Sequence, residues 1–291
     1  MRQNKAVNIM RKKSVKAVAL ALLAVMTVGL FSSCTTTQTG PQYKENADGY
    51  GLYRYKSTST ETVFTVPDEY NGKPVTELQA FSVANAEYLK ELNLGKNIKT
   101  IDVWALTKCP ELERINVSEE NPYFTSVDGV LYTKDMTELV AYPNGKAELE
   151  TDEDGNVIGG GTLVLPDTVK VVRDNACYLC SNLYSVTLNE GLEKIGNMAF
   201  HKCTGLQEIT LPNTVTEIGA DAFSYCDGLK TVDIPSSVKK LGDYAFFSTA
   251  SNIEKITVHQ ASADAIEAGE DWIPNKKDSI NAKVPVEYVA D

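Results

Sequence analysis

The sequence predicts a solenoid, mainly β with α+β character, in which each 23-residue turn pairs a short β-strand with one compact helical turn. Three observations carry this expectation. Residues 195–217, IGNMAFHKCTGLQEITLPNTVTE, and residues 218–240, IGADAFSYCDGLKTVDIPSSVKK, share an apolar skeleton while the polar residues between drift. Ile195 matches Ile218, Ala199 matches Ala222, Phe200 matches Phe223, Cys203 matches Cys226, Leu206 matches Leu229 and Pro212 matches Pro235. Within a copy, Leu206, Ile209 and Leu211 follow the spacing LxxIxL, and the last two alternate with Glu208 and Thr210, as in a strand with one buried face. Pro212 has no ladder donor and ends that strand. The apolar set of a single copy is too small to offset the ordering of its backbone, so copies must stack and cover one another's faces and strand edges.

The first element is a leader. Arg2, Lys5, Arg11, Lys12, Lys13 and Lys16 precede the apolar run AVALALLAVMTVGLF, residues 17–31, which is short for a membrane span and suits a secretory signal. The run ends in FSSC, and small residues directly before Cys34 resemble the bacterial lipobox, although Phe31 stands where Leu is commonest. Residues 1–33 are therefore expected to be a lipoprotein signal peptide, with Cys34 acylated after cleavage; an ordinary signal peptide or an uncleaved anchor is the alternative. Residues 34–48 are polar and begin with a run of Thr, as a flexible tether would. Hydrophobic content of 43% suffices for a core, and the formal net charge of the 291 residues is −11. Without the six basic residues of the leader, 22 Lys plus Arg face 39 Asp plus Glu, a charge near −17. A surface of that sign repels phosphate backbones, so a nucleic-acid partner is not expected.

Residues 49–77 read as an N-terminal cap and residues 78–258 as the solenoid. Leu78 opens a copy with Ala86, Leu89, Leu92, Leu94 and Ile98, and Ile101 opens the next with Ala105, Cys109, Leu112, Ile115 and Val117. Val172 opens another with Ala176, Cys180, Leu183, Val186 and Leu188. Leu241 opens a copy that keeps Ala245 and Phe246 but delays Ile253 by one place, which makes six copies or parts of copies. The period fails across 118–162, an irregular hairpin and loop insertion that includes ELETDEDGNVIGGG. Leu165, Leu188, Leu211 and Ile234 are again 23 apart, so the insertion is expected to bulge without breaking the solenoid. Beyond Val258 the repeat is lost. Residues 259–291 read as a C-terminal cap, with a helical stretch around Ala261 to Ala268 and with Trp272 and Ile273 over the last core.

The combination IGxxAFxxCxxLxxIxLPxxVxx resembles the BspA-like class of bacterial leucine-rich repeats. TVPDEYNGKPVTEL, residues 65–78, resembles the opening segment of such proteins, and NPYFTSVDGVLYTKDMTELVAYPNGK, residues 121–146, resembles their hairpin-like variant repeat. The resemblance extends over residues 49–280 and implies a curved or gently twisted leucine-rich repeat solenoid in a secreted or surface-attached protein. Some members are implicated in adhesion to host components or to other cells.

The chemical candidates are few. Cys109, Cys180, Cys203 and Cys226 share one slot and Cys177 replaces the Phe of its neighbours, so the thiols are expected as a buried ladder of small hydrophobes. Adjacent slots lie within disulfide range, but parallel side-chain directions disfavour that bond. Cys177 and Cys180 form a lone CxxC with no His at ligand spacing, and no metal or cofactor is expected. DEDGN, residues 152–156, has calcium-loop character, yet Leu163 stands where the bidentate Glu is required, so a polar hairpin turn is expected. GGG, residues 159–161, lacks a following Lys-Ser or Lys-Thr and reads as a flexible loop. His201 and His259 belong to no Ser, Cys or metal constellation, and His201 is expected to be exposed beside Phe200. No carboxylate pair stands out, so no catalytic residue is assigned.

A binding surface is expected on the sheet face, where stacked strands present polar residues in rows: Glu91 and Asn93, Arg114 and Asn116, Ser185 and Thr187, Glu208 and Thr210, Thr231 and Asp233, Lys255 and Thr257. These rows are flat and without an aromatic hot spot, which suits a protein or glycan of broad footprint, such as host matrix or another cell. The expected protein is a monomeric, non-catalytic lipoprotein of the bacterial cell envelope serving as a binding or adhesion module. The alternatives are a structural scaffold of the envelope without a host ligand, and an accessory protein for glycan capture.

Overall fold

In the computed structural model, which describes residues 40–155, 157–248, 252–276 and 279–290, parallel β-ladders join successive turns of the solenoid on two walls, where the pattern indicates one. The LxxIxL strands form the first ladder, in three three-stranded sheets. These are Val63–Thr65, Glu91–Leu94 and Arg114–Val117; Gly161–Val164, Leu183–Thr187 and Glu208–Ile209; and Thr231–Ile234, Lys255–Val258 and Val286–Tyr288. Leu92 and Leu94 are buried while Glu91 and Asn93 face outward, as the alternation requires.

The second ladder arises in the stretch that the sequence reads only as a turn through Gly. Val171–Val172, Lys194–Ile195, Glu217–Ile218, Lys240–Leu241 and Glu267–Ala268 pair in parallel, with Lys194 opposite Glu217 and Ile195 opposite Ile218. The following glycine is dictated by close approach: a Cβ on Gly219 would lie 2.6 Å from the amide nitrogen of Asn197 in the preceding coil.

The Ala-Phe segment forms a third wall, and it is not the helical turn that its composition suggests. The amides of Met198, Phe200 and Lys202 donate to the carbonyls of Ala220, Ala222 and Ser224 in the next coil, at 2.8, 2.8 and 2.9 Å. Left-handed residues recur at the coil period: Asn175, Met198, Asp221 and Tyr244 have φ of 60, 53, 55 and 58°. Those residues turn alternate amides away from the local i→i−4 pattern and toward the neighbouring coil. The C-terminal expectation of a helix around Ala261 to Ala268 is corrected likewise, because only Ala263–Ala265 form one 3₁₀ turn before Glu267–Ala268 extend the second ladder.

The insertion does not bulge from an unbroken solenoid; it is built into the stack. Phe124–Val127 and Val130–Thr133 pair as an antiparallel hairpin, and Glu138–Ala141 pairs antiparallel to the second of these and parallel to Val171–Val172. Its alternating side chains serve two cores. Val130, Tyr132, Leu139 and Tyr142 pack with the C-terminal coils, whereas Phe124, Leu131, Val140 and Ala141 pack with the N-terminal coils. The hairpin is thus a partition shared by two hydrophobic clusters. Farther along, Glu150–Thr151 and Val157–Gly159 make a small hairpin, and the Asp154 amide donates to Asp152 Oδ1 at 3.0 Å in its turn.

Ordered structure at the N-terminal end includes Gln42–Asn46, inside the stretch that reads as a tether. This strand pairs antiparallel with Gly49–Arg54, which in turn adds in parallel to Lys73–Leu78. Tyr43 anchors it, stacking on Tyr70 at 4.4 Å. The leader, Cys34 and the first part of the tether lie outside the described residues. At the other end, Trp272 is buried with the C-terminal cluster, Ile273 packs against it, and the carbonyl of Trp272 accepts the amide of Phe246 at 3.0 Å.

Along the axis of the C-terminal core, Phe200, Phe223 and Phe246 stack at 5.1 and 5.2 Å with planes 5° apart. The cysteines behave as a ladder of buried, unpaired thiols. Each of the shared slot donates to a carbonyl of an adjacent coil or hairpin: Cys109 to Val83 at 3.3 Å, Cys180 to Tyr142 at 3.6 Å, Cys203 to Cys177 at 3.2 Å and Cys226 to Phe200 at 3.0 Å. Burial pushes the Cys109 thiol up to about 11 and raises Cys177 and Cys203 well above the usual range, so none presents a thiolate at neutral pH.

Phe223→Ala should cost roughly 3–5 kcal/mol in a urea titration, because neighbours on both sides of the ring stack prevent collapse around the cavity. Phe81→Ala, at a side chain 59% exposed, should stay within about 0.5 kcal/mol of wild type. Thiol labelling of the folded protein should modify Cys109, Cys177, Cys180, Cys203 and Cys226 only at the rate of unfolding. Rapid native labelling of Cys203, read by mass spectrometry, would contradict the buried ladder.

Candidate functional site

The strand face carries short polar residues whose neighbours are set by parallel register. Glu91 lies opposite Arg114 and Asn93 opposite Asn116. Asn116 Nδ2 donates to Asn93 Oδ1 at 2.8 Å, and Asn93 Nδ2 donates to Thr65 Oγ1 at 3.2 Å, so an amide ladder runs across the N-terminal sheet. In the middle sheet Ser185 lies opposite Glu208, while Thr187 lies opposite Val164 and Thr210 follows the last strand. In the third, Thr231 lies opposite Lys255 and Asp233 opposite Thr257, and the Lys255 ammonium pairs with Glu287.

The predicted rows therefore exist as three patches. The hairpin of Phe124–Val127 and Val130–Thr133 separates the Glu91, Asn93, Arg114 and Asn116 patch from the rest, and no ladder joins Glu208–Ile209 to Thr231–Ile234. The sequence reading missed Thr65, Thr162 and Val164 on this face, and Val164 is 62% exposed. Its signal was present: with Leu165 and Leu188 one coil apart, Val164 must occupy the Thr187 place.

Two depressions mark the face. One, of about 480 Å³, lies where Arg114 and Asn116 meet Asp128, Lys146 and Glu148 of the insertion. Lys146 Nζ is bound there, donating to Asp128 Oδ2 at 2.9 Å. The other, of about 180 Å³, is lined by Thr210, Asp233, Ser236 and His259, so His259 is brought beside predicted row residues from which it is remote in sequence.

The second-ladder face is different in kind. Lys194 and Lys240 both pair with Glu217, at 3.2 and 3.7 Å, and Lys170 pairs with Glu193 at 3.1 Å. These exposed pairs contribute little stability, but they neutralise that face within itself. The third wall bears a row of rings that the sequence reading did not detect: Phe81, Trp104, Tyr178, His201, Tyr225 and Phe247 have successive centroids between 5.2 and 5.8 Å apart. Their signal was present in part: Phe81 and Trp104 are 23 apart, Tyr178 and His201 are 23 apart, and Phe247 lies two periods beyond His201, with Tyr225 one place out of phase.

His201 belongs to that row and is 9% exposed, which corrects the expectation of an exposed residue. It stacks on Tyr178, and its Nδ1 lies 2.6 Å from Ser224 Oγ. With the Ser224 hydroxyl donating to the Asp221 carbonyl at 3.1 Å, the neutral ring donates from Nδ1. Burial lowers the His201 pKa, with Lys202 acting in the same direction and Asp221 against it.

Protein-family models match the chain to the BspA type leucine rich repeat region in six copies, over residues 52–133 and 161–268. Among solved structures, the pneumococcal vaccine antigen PcpA is similar at 26% identity with a TM-score of 0.57, over 78% of this chain and 57% of that one. A leucine-rich repeat protein of Eubacterium ventriosum is similar at 22% identity and a TM-score of 0.46, over 76% and 55%. A leucine rich cell surface protein of Faecalibacterium prausnitzii is similar at 16% identity and a TM-score of 0.43, over 82% and 95%. The chain thus spans little more than half the length of the first two. No curated protein matches it.

A histidine whose pKa is lowered by folding stabilises the fold fully above its unfolded pKa of about 6.5, and the contribution is lost as pH falls from there through the folded value. Wild type should therefore lose more stability between neutral pH and pH 5 than His201→Phe, as read by urea midpoints. Equal losses would show that other groups cause the acid sensitivity.

Proposed function

This chain belongs to the BspA type leucine-rich repeat family, and from that premise we propose that it is an exported envelope lipoprotein, acylated at Cys34, whose solenoid acts as a non-catalytic binding or adhesion module. The observation that carries the reading is the division of polar residues between faces. Lys and Glu of the second ladder are consumed in pairs, while Thr, Ser and Asn dominate the strand face and leave hydrogen-bonding groups open over three neighbouring patches. Such a surface meets a protein or glycan of broad footprint through many modest contacts. The likeness to a pneumococcal antigen supports exposure outside the cell, since an antigen is a protein that antibodies reach. The leader and the acidic charge of the remainder support export and disfavour nucleic acid.

The test uses the processed protein against panels of matrix proteins, envelope proteins and glycans. Charge reversal on the strand face, with Ser185→Lys, Glu208→Lys and Asp233→Lys combined, should weaken binding at least tenfold, whereas Lys194→Glu on the opposite face should not. Cys34→Ala should move the chain from the membrane fraction to the soluble one. Binding that survives the strand-face changes would remove that face from consideration, and a membrane-bound, correctly processed Cys34→Ala chain would end the lipidation reading.

A further inference from the structure

The groove beside the insertion has a chemistry unlike the rest of the strand face. One wall is the last strand of the N-terminal sheet, with Arg114 and Asn116; the other is the chain from Gly145 to Glu148. Its volume of about 480 Å³ lies in the range of small-ligand sites, roughly 300–1,000 Å³. Ala147 supplies the only apolar side chain of the lining, so the groove has no anchor for a protein hot spot.

Its charges are already sorted. Glu113 is held by Lys90 at 2.9 Å and Asp128 by Lys146 at 2.9 Å. Among the described residues, the guanidinium of Arg114 and the carboxylate of Glu148 take part in no ion pair. Asn116 spends one amide hydrogen on Asn93 and keeps its carbonyl oxygen as an acceptor. One wall therefore offers a fork of donors together with an acceptor, and the other offers a pure acceptor. An anionic ligand would meet Glu148 and a chain near −17 overall, and a cationic one would meet Arg114. A hydroxyl both donates and accepts, so a run of neutral hydroxyls satisfies Arg114, Asn116 and Glu148 together without stranding a charge.

We propose that this groove binds a neutral oligosaccharide, gripped between Arg114 and Asn116 on the strand wall and Glu148 on the insertion wall. The proposal rests on the binding-module reading and adds to it a ligand class and a place. The insertion then has a purpose beyond partitioning the core, because Lys146 and Glu148 form a wall that the regular repeat does not provide.

The experiment presents the processed protein with an array of neutral gluco-, manno- and galacto-oligosaccharides, alongside hyaluronan and heparin tetrasaccharides as acidic probes, and quantifies hits by calorimetry. Neutral sugars should bind with little dependence on salt. Arg114→Gln and Glu148→Gln, both at exposed positions, should each weaken that binding at least tenfold while circular dichroism stays unchanged, and Lys194→Glu on the second-ladder face should leave it intact. Preference for the acidic probes, or neutral-sugar binding that persists in both variants, would overturn the groove assignment. Binding of a protein partner through the strand face with no sugar bound would overturn it while leaving the module reading in place. Absence of any ligand on either panel would defeat both.

Discussion

The amide of Phe200 donates to the carbonyl of Ala222 one coil further on, and the amide of Gly219 donates back to the carbonyl of Ile195 one coil before. These bonds, repeated on successive coils, are what the remaining structure depends on. A coil of 23 residues buries its apolar side chains only if its neighbours lie at hydrogen-bonding distance on every wall. The glycines after the second ladder, the left-handed residues of the Ala-Phe segment and the prolines after the first ladder all serve that spacing. The thiol slot follows from the same constraint. A carbonyl such as that of Phe200 already accepts the amide of Cys203 and has a second lone pair facing inward, and Cys226 is small enough to reach it with a weak donor.

Where the period fails, the chain substitutes another way of covering the exposed coil. The hairpin of residues 124–133, with the strand that follows it, presents apolar residues on both faces, which a strand permits because successive side chains point in opposite directions. Both ladders are interrupted here: the second stops at Thr100–Ile101 and resumes at Glu138–Ala141, and the first stops at Arg114–Val117 and resumes at Gly161–Val164. The interruption of the strand face leaves the groove at Arg114 and Asn116, walled on its other side by the chain from Gly145 to Glu148. The same segment therefore separates two cores and shapes a depression on the face where binding is proposed.

The three walls divide their chemistry. The second ladder pairs Lys with Glu from coil to coil, and the third packs rings and His201 against one another. On the first, short hydroxyl and amide side chains stay accessible because neighbouring strands hold them side by side with few opposite charges to consume them. The division of chemistry among the walls is consistent with the binding-type modules to which leucine-rich repeats belong.

The sequence by itself determined the repeat, its period, the buried skeleton from Leu78 to Val258 and the outward phase of residues such as Glu91, Asn93, Ser185 and Asp233. Those features depend on periodicity, which a chain must display locally to be stacked at all. It did not determine that Lys194–Ile195 and its equivalents are strands, that the Ala-Phe segment avoids a helix, or that the rows fall into three patches. Two-residue strands and isolated left-handed residues have no propensity signal of their own; they exist because a neighbouring coil supplies the partner. Nor could spacing reveal the groove or the contact of Trp104 with Tyr178, since each brings together residues from either side of the insertion; Tyr178, His201 and Ser224 do stand one period apart, but only the stacked coils show that this slot is covered.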